Sequence, residues 1–368
     1  MFLNLTLVLA SAFGAMACGA HFGPSLHHMR AKVKDVNLMK RQTVKQELPT
    51  DQNKVKHWTV DQNRRQMQVS DDAFIARDLA HFNHHENSTM YYTGGVFMNL
   101  TQHLEDMRLL YSIYSDGAPH NHDYRISFGE GDWTVVLAQV SGTQDGPLPS
   151  LQGTLLPPTN KKIHMDLMTI ARWNNGWMME EYLWSDNPFM YRQVGVLPDR
   201  PNDNLPDLEL NLATPLSTKP GEDHVALNKK SAKEADDALN DGKLTIESLN
   251  LDHNALIYGL SDIPMNVTGY IDWLEQFKSA FSDLHLENRP YKQIIGQGDW
   301  TATVSMLSGT HDGNLTLPTY LSEKPILSTG KKFDLLHCTI ARWQNGKIVG
   351  LRVNIDYFGI VAAFGIEI

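Results

Sequence analysis

Ile170-Ala171-Arg172-Trp173-Asn174-Asn175-Gly176, near the middle of the chain, returns near its end as Ile340-Ala341-Arg342-Trp343-Gln344-Asn345-Gly346. In both places an apolar run meets Asn-Gly and a second run follows, Trp177 to Asp186 in one and Lys347 to Asp356 in the other. Both residues of an Asn-Gly pair tolerate positive φ, which a tight hairpin between two strands requires. The repetition extends upstream. Gly131-Asp132-Trp133-Thr134 recurs as Gly298-Asp299-Trp300-Thr301, 167 residues on (298 minus 131). Ser141-Gly142-Thr143-Gln144-Asp145-Gly146 recurs as Ser308-Gly309-Thr310-His311-Asp312-Gly313 at the same offset. So many ordered matches, with one small length change, read as duplication of a domain-sized unit and not as a solenoid of short repeats.

A chain of 368 residues suits two such units, each able to bury its own core. The reading divides it into a signal peptide (1–20), an N-terminal segment (21–69), a first domain (70–197), a linker (198–231) and a second domain (232–368). The linker shows in Asp199-Arg200-Pro201-Asn202-Asp203-Asn204. Helix-spaced apolar residues occupy Asp72 to His85 and Phe97 to Tyr114, with partners at Ala232 to Asn250 and Tyr270 to Leu284. Alternating strands such as Thr301 to Leu307 come after them. Helices first and an antiparallel meander afterwards make an α+β fold. The paired tryptophans Trp133, Trp173, Trp300 and Trp343 fit a structural role in it.

Hydrophobic residues at 42% and charged residues at 20% belong to an ordinary globular protein. A net charge of −10 argues against nucleic acid or an anionic membrane as the main partner, since both attract basic surfaces. Residues Phe2 to Ala17 carry no charge and end in Ala15-Met16-Ala17, a small-residue cleavage pattern. With the acceptor sites at Asn87, Asn99, Asn266 and Asn314, this points to a secreted glycoprotein. The two cysteines, Cys18 and Cys338, exclude an intradomain disulfide framework and a cysteine-based zinc site. His81, His84 and His85 with Glu86, and His120-Asn121-His122-Asp123, lack the spacing of a zinc-binding helix and read as solvated or helix-end histidines, with no metal site assigned.

Strand alternation groups Met178, Glu180, Tyr182, Trp184 and Asp186 on one face, and Ile348, Gly350, Arg352, Asn354 and Asp356 on its counterpart. That face mixes aromatic and polar groups as a ligand-lining surface does; the other carries Met179, Glu181, Leu183 and Ser185 in copy one and, in copy two, Val349, Leu351, Val353 and Ile355, which read as plain core. A carboxylate between apolar walls at such a strand end has its charged form disfavoured and suits general acid/base work; the plainer alternative is a cap on the following turn.

These motifs together resemble the SnoaL-like polyketide cyclase family of the NTF2-like superfamily. Copy one supplies Gly131-Asp132, Gly142-Thr143-Gln144-Asp145-Gly146, Pro158-Thr159-Asn160-Lys161-Lys162, Arg172, Gly176, Glu180, Tyr182, Asp186 and Gln193-Val194-Gly195. Copy two supplies Gly298-Asp299, Gly309-Thr310-His311-Asp312-Gly313, Ser328-Thr329-Gly330-Lys331-Lys332, Arg342, Gly346-Lys347-Ile348-Val349, Asp356 and, upstream, His253-Asn254. The resemblance implies two tandem cone-shaped barrels, curved antiparallel sheets wrapped by helices, packed as an intramolecular pseudo-dimer. It implies aldol-type ring closure, or related lyase or isomerase chemistry, on a polyketide-like or small aromatic carbonyl compound without metal or organic cofactor. Asp186, Asp356 and His311 would be catalytic, with Glu180, Tyr182, Trp184, His253 and Arg352 binding substrate, and copy one, which keeps Glu180, Tyr182 and Asp186 on one strand face, is expected to hold the better site. Copy one departs from the pattern at Gln144, where histidine is expected, and copy two at Gly350 and Arg352. The alternative is a secreted protein that binds a small apolar ligand without turning it over. If the leader is real, mass spectrometry of exported chain will find a new N-terminus near Ala17 or Ala20 and glycan on some of the four asparagines; an intact, unglycosylated cytosolic chain would contradict it.

Overall fold

The computed structural model describes residues 58–93, 96–119, 124–149, 155–197, 224–261, 264–318 and 321–366. The signal peptide, the N-terminal segment before Trp58, His120 to Asp123 and linker residues 198–223 lie outside the described residues. The chain divides into two compact units, essentially up to Val196 and from Leu197. No helix among the described residues is long and apolar enough to cross a membrane.

The first unit begins with α1 (Val60–Ile75), opened by a capping box in which Thr59 and Gln62 satisfy each other's backbone N–H. Strands β1 (His84–Tyr92) and β2 (Val96–Asn99) follow, then α2 (Leu100–Ile113), whose Asn99 cap accepts from Gln102 N at 3.0 Å. Next come β3 (Ala118–Pro119), β4 (Ile126–Glu130), β5 (Trp133–Thr143), the short β6 (Leu148–Pro149) and β7 (Leu155–Leu156), β8 (Lys162–Asn174), β9 (Trp177–Ser185) and α3 (Asn187–Gln193). The sheet order is β2-β1-β9-β8-β5-β3, with β4 also on β5.

The second unit runs α4 (His224–Asn240), β10 (Leu251–Tyr258), α5 (Val267–Ala280), β11 (His285–Leu286), β12 (Gln293–Gln297), β13 (Trp300–Thr310), β14 (Lys332–Gln344), β15 (Lys347–Asn354) and α6 (Tyr357–Ala363). Its sheet order is β10-β15-β14-β13-β11, with β12 also on β13. Both bodies are open α+β sheets with few helices. The long strands β5, β8 and β9, and β13, β14 and β15, pair antiparallel, whereas β1–β9 and β10–β15 pair parallel.

The Asn-Gly hairpins form as expected, with φ of 51° and 83° at Asn175-Gly176 and 52° and 75° at Asn345-Gly346. The first expected helix does not reach His85. Arg77, at φ 60°, takes the chain out of α1, and His84 onward is strand. In the second unit α4 likewise stops at Asn240, and Asn250 at φ 52° turns the chain into β10.

The helices lie on one side of each sheet. In the second unit Ala341, Trp343, Ile348, Leu351 and Val353 pack with Ala232 and Ala238 of α4 and Leu274 of α5. In the first, Val136, Ala138, Ala171, Trp173 and Met178 pack with Met67 of α1. The buried indoles are anchored alike, Trp173 Nε1 donating to Thr134 Oγ1 at 2.9 Å and Trp343 Nε1 to Thr301 Oγ1 at 2.8 Å.

The Ser-Gly-Thr-x-Asp-Gly motifs hold the helices against these sheets. Asp145 accepts from Ser115 N just beyond α2, and Gly146 N donates to Ile113 O inside its last turn. Asp312 accepts from Ser282 N and Gly313 N donates to Ala280 O in the same way. A reciprocal pair closes each clamp, Thr143 donating to Asp116 and Thr310 to Asp283. The glycines are required by space: a Cβ at Gly146 would sit 1.7 Å from Ser112 O, and one at Gly313 2.0 Å from Ser279 O. Gly146→Ala and Gly313→Ala should therefore each destabilise by about 3 kcal/mol or more, since backbone rather than a side chain must move. Gly350→Ala, with open space around its Cβ, should stay within about 0.5 kcal/mol. Denaturant midpoints will separate the two cases.

Candidate functional site

Asp356 ends the run from β15 and caps α6, its Oδ1 accepting from Gly359 N at 2.9 Å. The residue is 8% exposed, and its Oδ2 has no hydrogen-bond partner among the described residues. Burial pushes the carboxyl up to about 6, against the opposing pull of the Gly359 hydrogen bond. The α6 helix packs so closely here that a Cβ on Gly359 would lie 2.2 Å from that Oδ2 and 3.0 Å from Leu335.

Leu335 belongs to the helix-facing side of β14, and so do His337 and Thr339 by alternation. His337 stands opposite Ser305 of β13, and Thr339 opposite Thr303. The two threonine hydroxyls are 2.8 Å apart; Ser305 is fully buried and its hydroxyl has no partner among the described residues. His337 Nδ1 is 3.1 Å from Asn354 O, and burial pushes the imidazole down to about 4, so it is neutral at physiological pH. The sheet therefore carries a neutral, polar row on the side that α6 covers, together with a carboxyl whose proton affinity is raised. The first unit fills the places of Ser305 and His337 with Ala138 and Leu167, which face each other in the same register.

Asp186 makes the same cap, accepting from Phe189 N at 3.0 Å, but its side is exposed. His311 is fully buried, stacked 4.3 Å from Phe364 and with Nδ1 3.1 Å from Thr329 Oγ1; burial lowers its pKa. Phe364 is the C-cap of α6 and Asp356 its N-cap. The two sequence candidates thus stand at opposite ends of that helix, about 12 Å apart along its axis. Gln144 in the first unit does the loop-holding work of His311, accepting from Thr159 N at 2.7 Å. His253 is exposed on β10, and Arg352 is half-buried on β15.

Glu180, Tyr182 and Trp184 gather on the sheet face away from the helices. Tyr182 donates to Glu180 at 2.6 Å, Arg172 bridges Glu180 at 3.3 Å, and Tyr182 stacks with Tyr91 at 4.9 Å and Trp184 at 6.0 Å. Their neighbour Met178 points the other way, into the helix-facing cluster, because a bulge interrupts the β8–β9 register between Met178 and Glu180. The helix-facing partner of this strand is Glu181, 5% exposed, whose Oε2 lies 3.1 Å from His84 Nε2. The sequence pattern gives Glu181 no role and places His84 on a helix; alternation alone does not show that 97 residues of separation close into one pair.

Residues 231–364 match the family model of SnoaL-like polyketide cyclases. That segment contains Asp356, His337, Ser305 and His311. Solved structures similar to part of the chain include AclR of Streptomyces galilaeus, at 21% identity over 38% of this chain and 97% of that one, with a TM-score of 0.33. IdmH of Streptomyces antibioticus shares 19% identity over 36% of this chain and 99% of its own, TM-score 0.32. TsrD of Streptomyces laurentii shares 19% over 38% and 99%, TM-score 0.32. No curated protein matches the sequence.

A carboxyl that titrates higher folded than unfolded stabilises the fold fully below about pH 4, and that contribution is lost as pH rises through about 6. Asparagine keeps the cap oxygen and removes the titration. The stability of Asp356→Asn relative to the parent should therefore rise between pH 4 and pH 8, by up to about 3 kcal/mol, in denaturant titrations. A pH-independent difference would show that Asp356 is not held in this environment.

Proposed function

We infer that the C-terminal unit is a cofactor-independent cyclase, or a related lyase or isomerase, acting on a polyketide-like or small aromatic carbonyl compound with Asp356 as general acid/base. The observation that carries this reading is the buried Asp356 carboxyl, with one oxygen engaged in the cap and the other unpartnered, inside a segment that matches the cyclase family. In an aldol closure the ionised carboxylate takes a proton from the carbon next to one carbonyl. The carbanion so formed makes the new carbon–carbon bond at a second carbonyl carbon. The carboxylic acid then returns its proton to the resulting alkoxide, so no electron or atom is gained or lost. A group titrating near 6 exchanges protons in both directions near neutral pH, which an ordinary carboxylate does poorly. The hydroxyls of Ser305 and Thr303 and the neutral His337 are the polar groups available to orient carbonyl oxygens on the same side of the sheet.

The N-terminal unit is on this reading a second, diverged SnoaL-like copy. It carries the matching clamp and hairpin, but its Asp186 is exposed and its polar residues lie elsewhere. Secretion and glycosylation complete the proposal; Asn87, Asn99, Asn266 and Asn314 are all exposed, as acceptors must be.

The test is turnover of aromatic polyketide-type carbonyl substrates by Asp356→Asn and Asp186→Asn. Asp356→Asn should lose about 10²–10⁴-fold in kcat while still binding ligand, and Asp186→Asn should retain the parent rate. A protein that binds ligand equally well in parent and both variants, with no turnover in any, is a carrier and not an enzyme.

A further inference from the structure

A second buried polar cluster occupies the helix-facing side of the first unit, apart from anything the Asp356 reading uses. His84 on β1, His103 on α2 and Glu181 on β9 are 1%, 2% and 5% exposed. One donor atom from each lies within 4.8 Å of the other two. The His84 and His103 rings are 5.0 Å apart, with Phe82 stacked on both, at 4.3 and 5.5 Å. The His84–Glu181 hydrogen bond uses one nitrogen of the three residues' four. Tyr92 uses another, its hydroxyl bonded to His103 Nδ1. His84 Nδ1 and His103 Nε2 have no partner among the described residues.

The fold does not demand these side chains. His84 and Leu251 occupy one register position, opposite Met178 and Ile348, each two residues past its hairpin glycine. Glu181 and Leu351 correspond likewise, opposite Ala171 and Ala341. His103 and Tyr270 both stand four residues after the helix cap, Asn99 or Asn266. The second unit fills all three places with packed core, Leu251, Tyr270 and Leu351. One scaffold therefore closes over an apolar trio in one unit and over two imidazoles and a carboxylate in the other. Burying three polar residues where apolar ones pack is unfavourable unless their polar atoms find partners, and His84 Nδ1 and His103 Nε2 have none among the described residues.

We propose that His84, His103 and Glu181 form a binding site for a divalent first-row transition metal ion. Two neutral imidazoles and one carboxylate are a donor set that zinc and ferrous ions take, leaving at least one position open for water or an oxygen donor. Donors at 2.0–2.2 Å from one ion stand about 3.0–3.5 Å apart, so side-chain rotation of about 1 Å brings the observed cluster to that geometry. The Tyr92 contact fits the same assignment. With His103 Nδ1–H donating to the Tyr92 oxygen, the lone pair is left on Nε2, the nitrogen without a partner. A hydrogen-bonded His84–Glu181 pair alone would account for neither His103 nor the two idle nitrogens.

The full chain, stripped with a chelator, should take up one Zn²⁺ in competition with a chromophoric chelator, and its Co²⁺ form should show the visible absorption of a nitrogen–oxygen site of low coordination number. Tyr92→Phe should weaken Zn²⁺ binding about 10- to 100-fold, as loss of an outer partner does, and Glu181→Gln should weaken it further. The combined His84→Leu, His103→Tyr and Glu181→Leu variant installs the second unit's residues, so it should fold and bind no ion at this site. Failure of the stripped parent to take up a stoichiometric ion overturns the proposal, whether or not any variant folds. Uptake and a cobalt spectrum that survive unchanged in the triple variant also overturn it, by placing the ion on other histidines.

Discussion

The close approach of the Ser-Gly-Thr-x-Asp-Gly loop to the end of the preceding helix is the constraint on which each unit is built. At Gly146 and Gly313 there is no room for one more carbon beside a helix carbonyl. The two aspartates of each clamp then tie loop to helix end through backbone N–H groups, where hydrogen bonds carry charge and geometry is strict. Once α2 or α5 is fixed at that end, its capped N-terminus delivers position four of the helix over the first strand. That position holds His103 in one unit and Tyr270 in the other. The motif also acts as a fastening, with His311 and Gln144 each tied to the threonine of the following loop.

Given the same fastening, the two units differ in where they admit polarity on the helix-facing side. The first places His84, His103 and Glu181 under the helices and keeps Ala138 and Leu167 apolar further along the sheet. The second reverses this, with Leu251, Tyr270 and Leu351 packed and Ser305 and His337 buried along β13 and β14. Each unit serves as the control for the other. A polar residue at a position that its counterpart fills with leucine is not a requirement of folding, and its retention has to be explained by what it contacts.

The hairpins, the α+β order and the long strands were legible because they rest on local chemistry, Asn-Gly turns and unbroken alternation. The assignment of strand faces was less so. Counting by twos from Met178 to Trp184 runs through a bulge, and one extra residue sends the remainder to the other side. Ile348 and Gly350 are separated in the same way by the shift between Arg342 and Trp343. The segment from Asp72 to His85 carries helix-like spacing, but the positive φ at Arg77 is a backbone event that side-chain pattern does not announce. His84, His103 and Glu181 were each visible as residues, yet nothing local says that β1, α2 and β9 bring them together.

Asp186 and Asp356 show how one substitution separates a cap from a candidate acid. Both aspartates give one oxygen to the N–H three residues on. In the second unit that residue is Gly359, and the idle oxygen of Asp356 occupies the space where a Cβ would be, 2.2 Å away. In the first unit the residue is Phe189, which carries a Cβ, and Asp186 is exposed. The absence of a side chain at Gly359 leaves room for that oxygen on a helix whose Tyr357, Phe358, Ile360 and Val361 are themselves buried. The cap alone would be served as well by either arrangement, so the inward one is the arrangement that changes chemistry. It removes a carboxyl oxygen from water, leaves it without a partner among the described residues, and raises the affinity of the group for a proton.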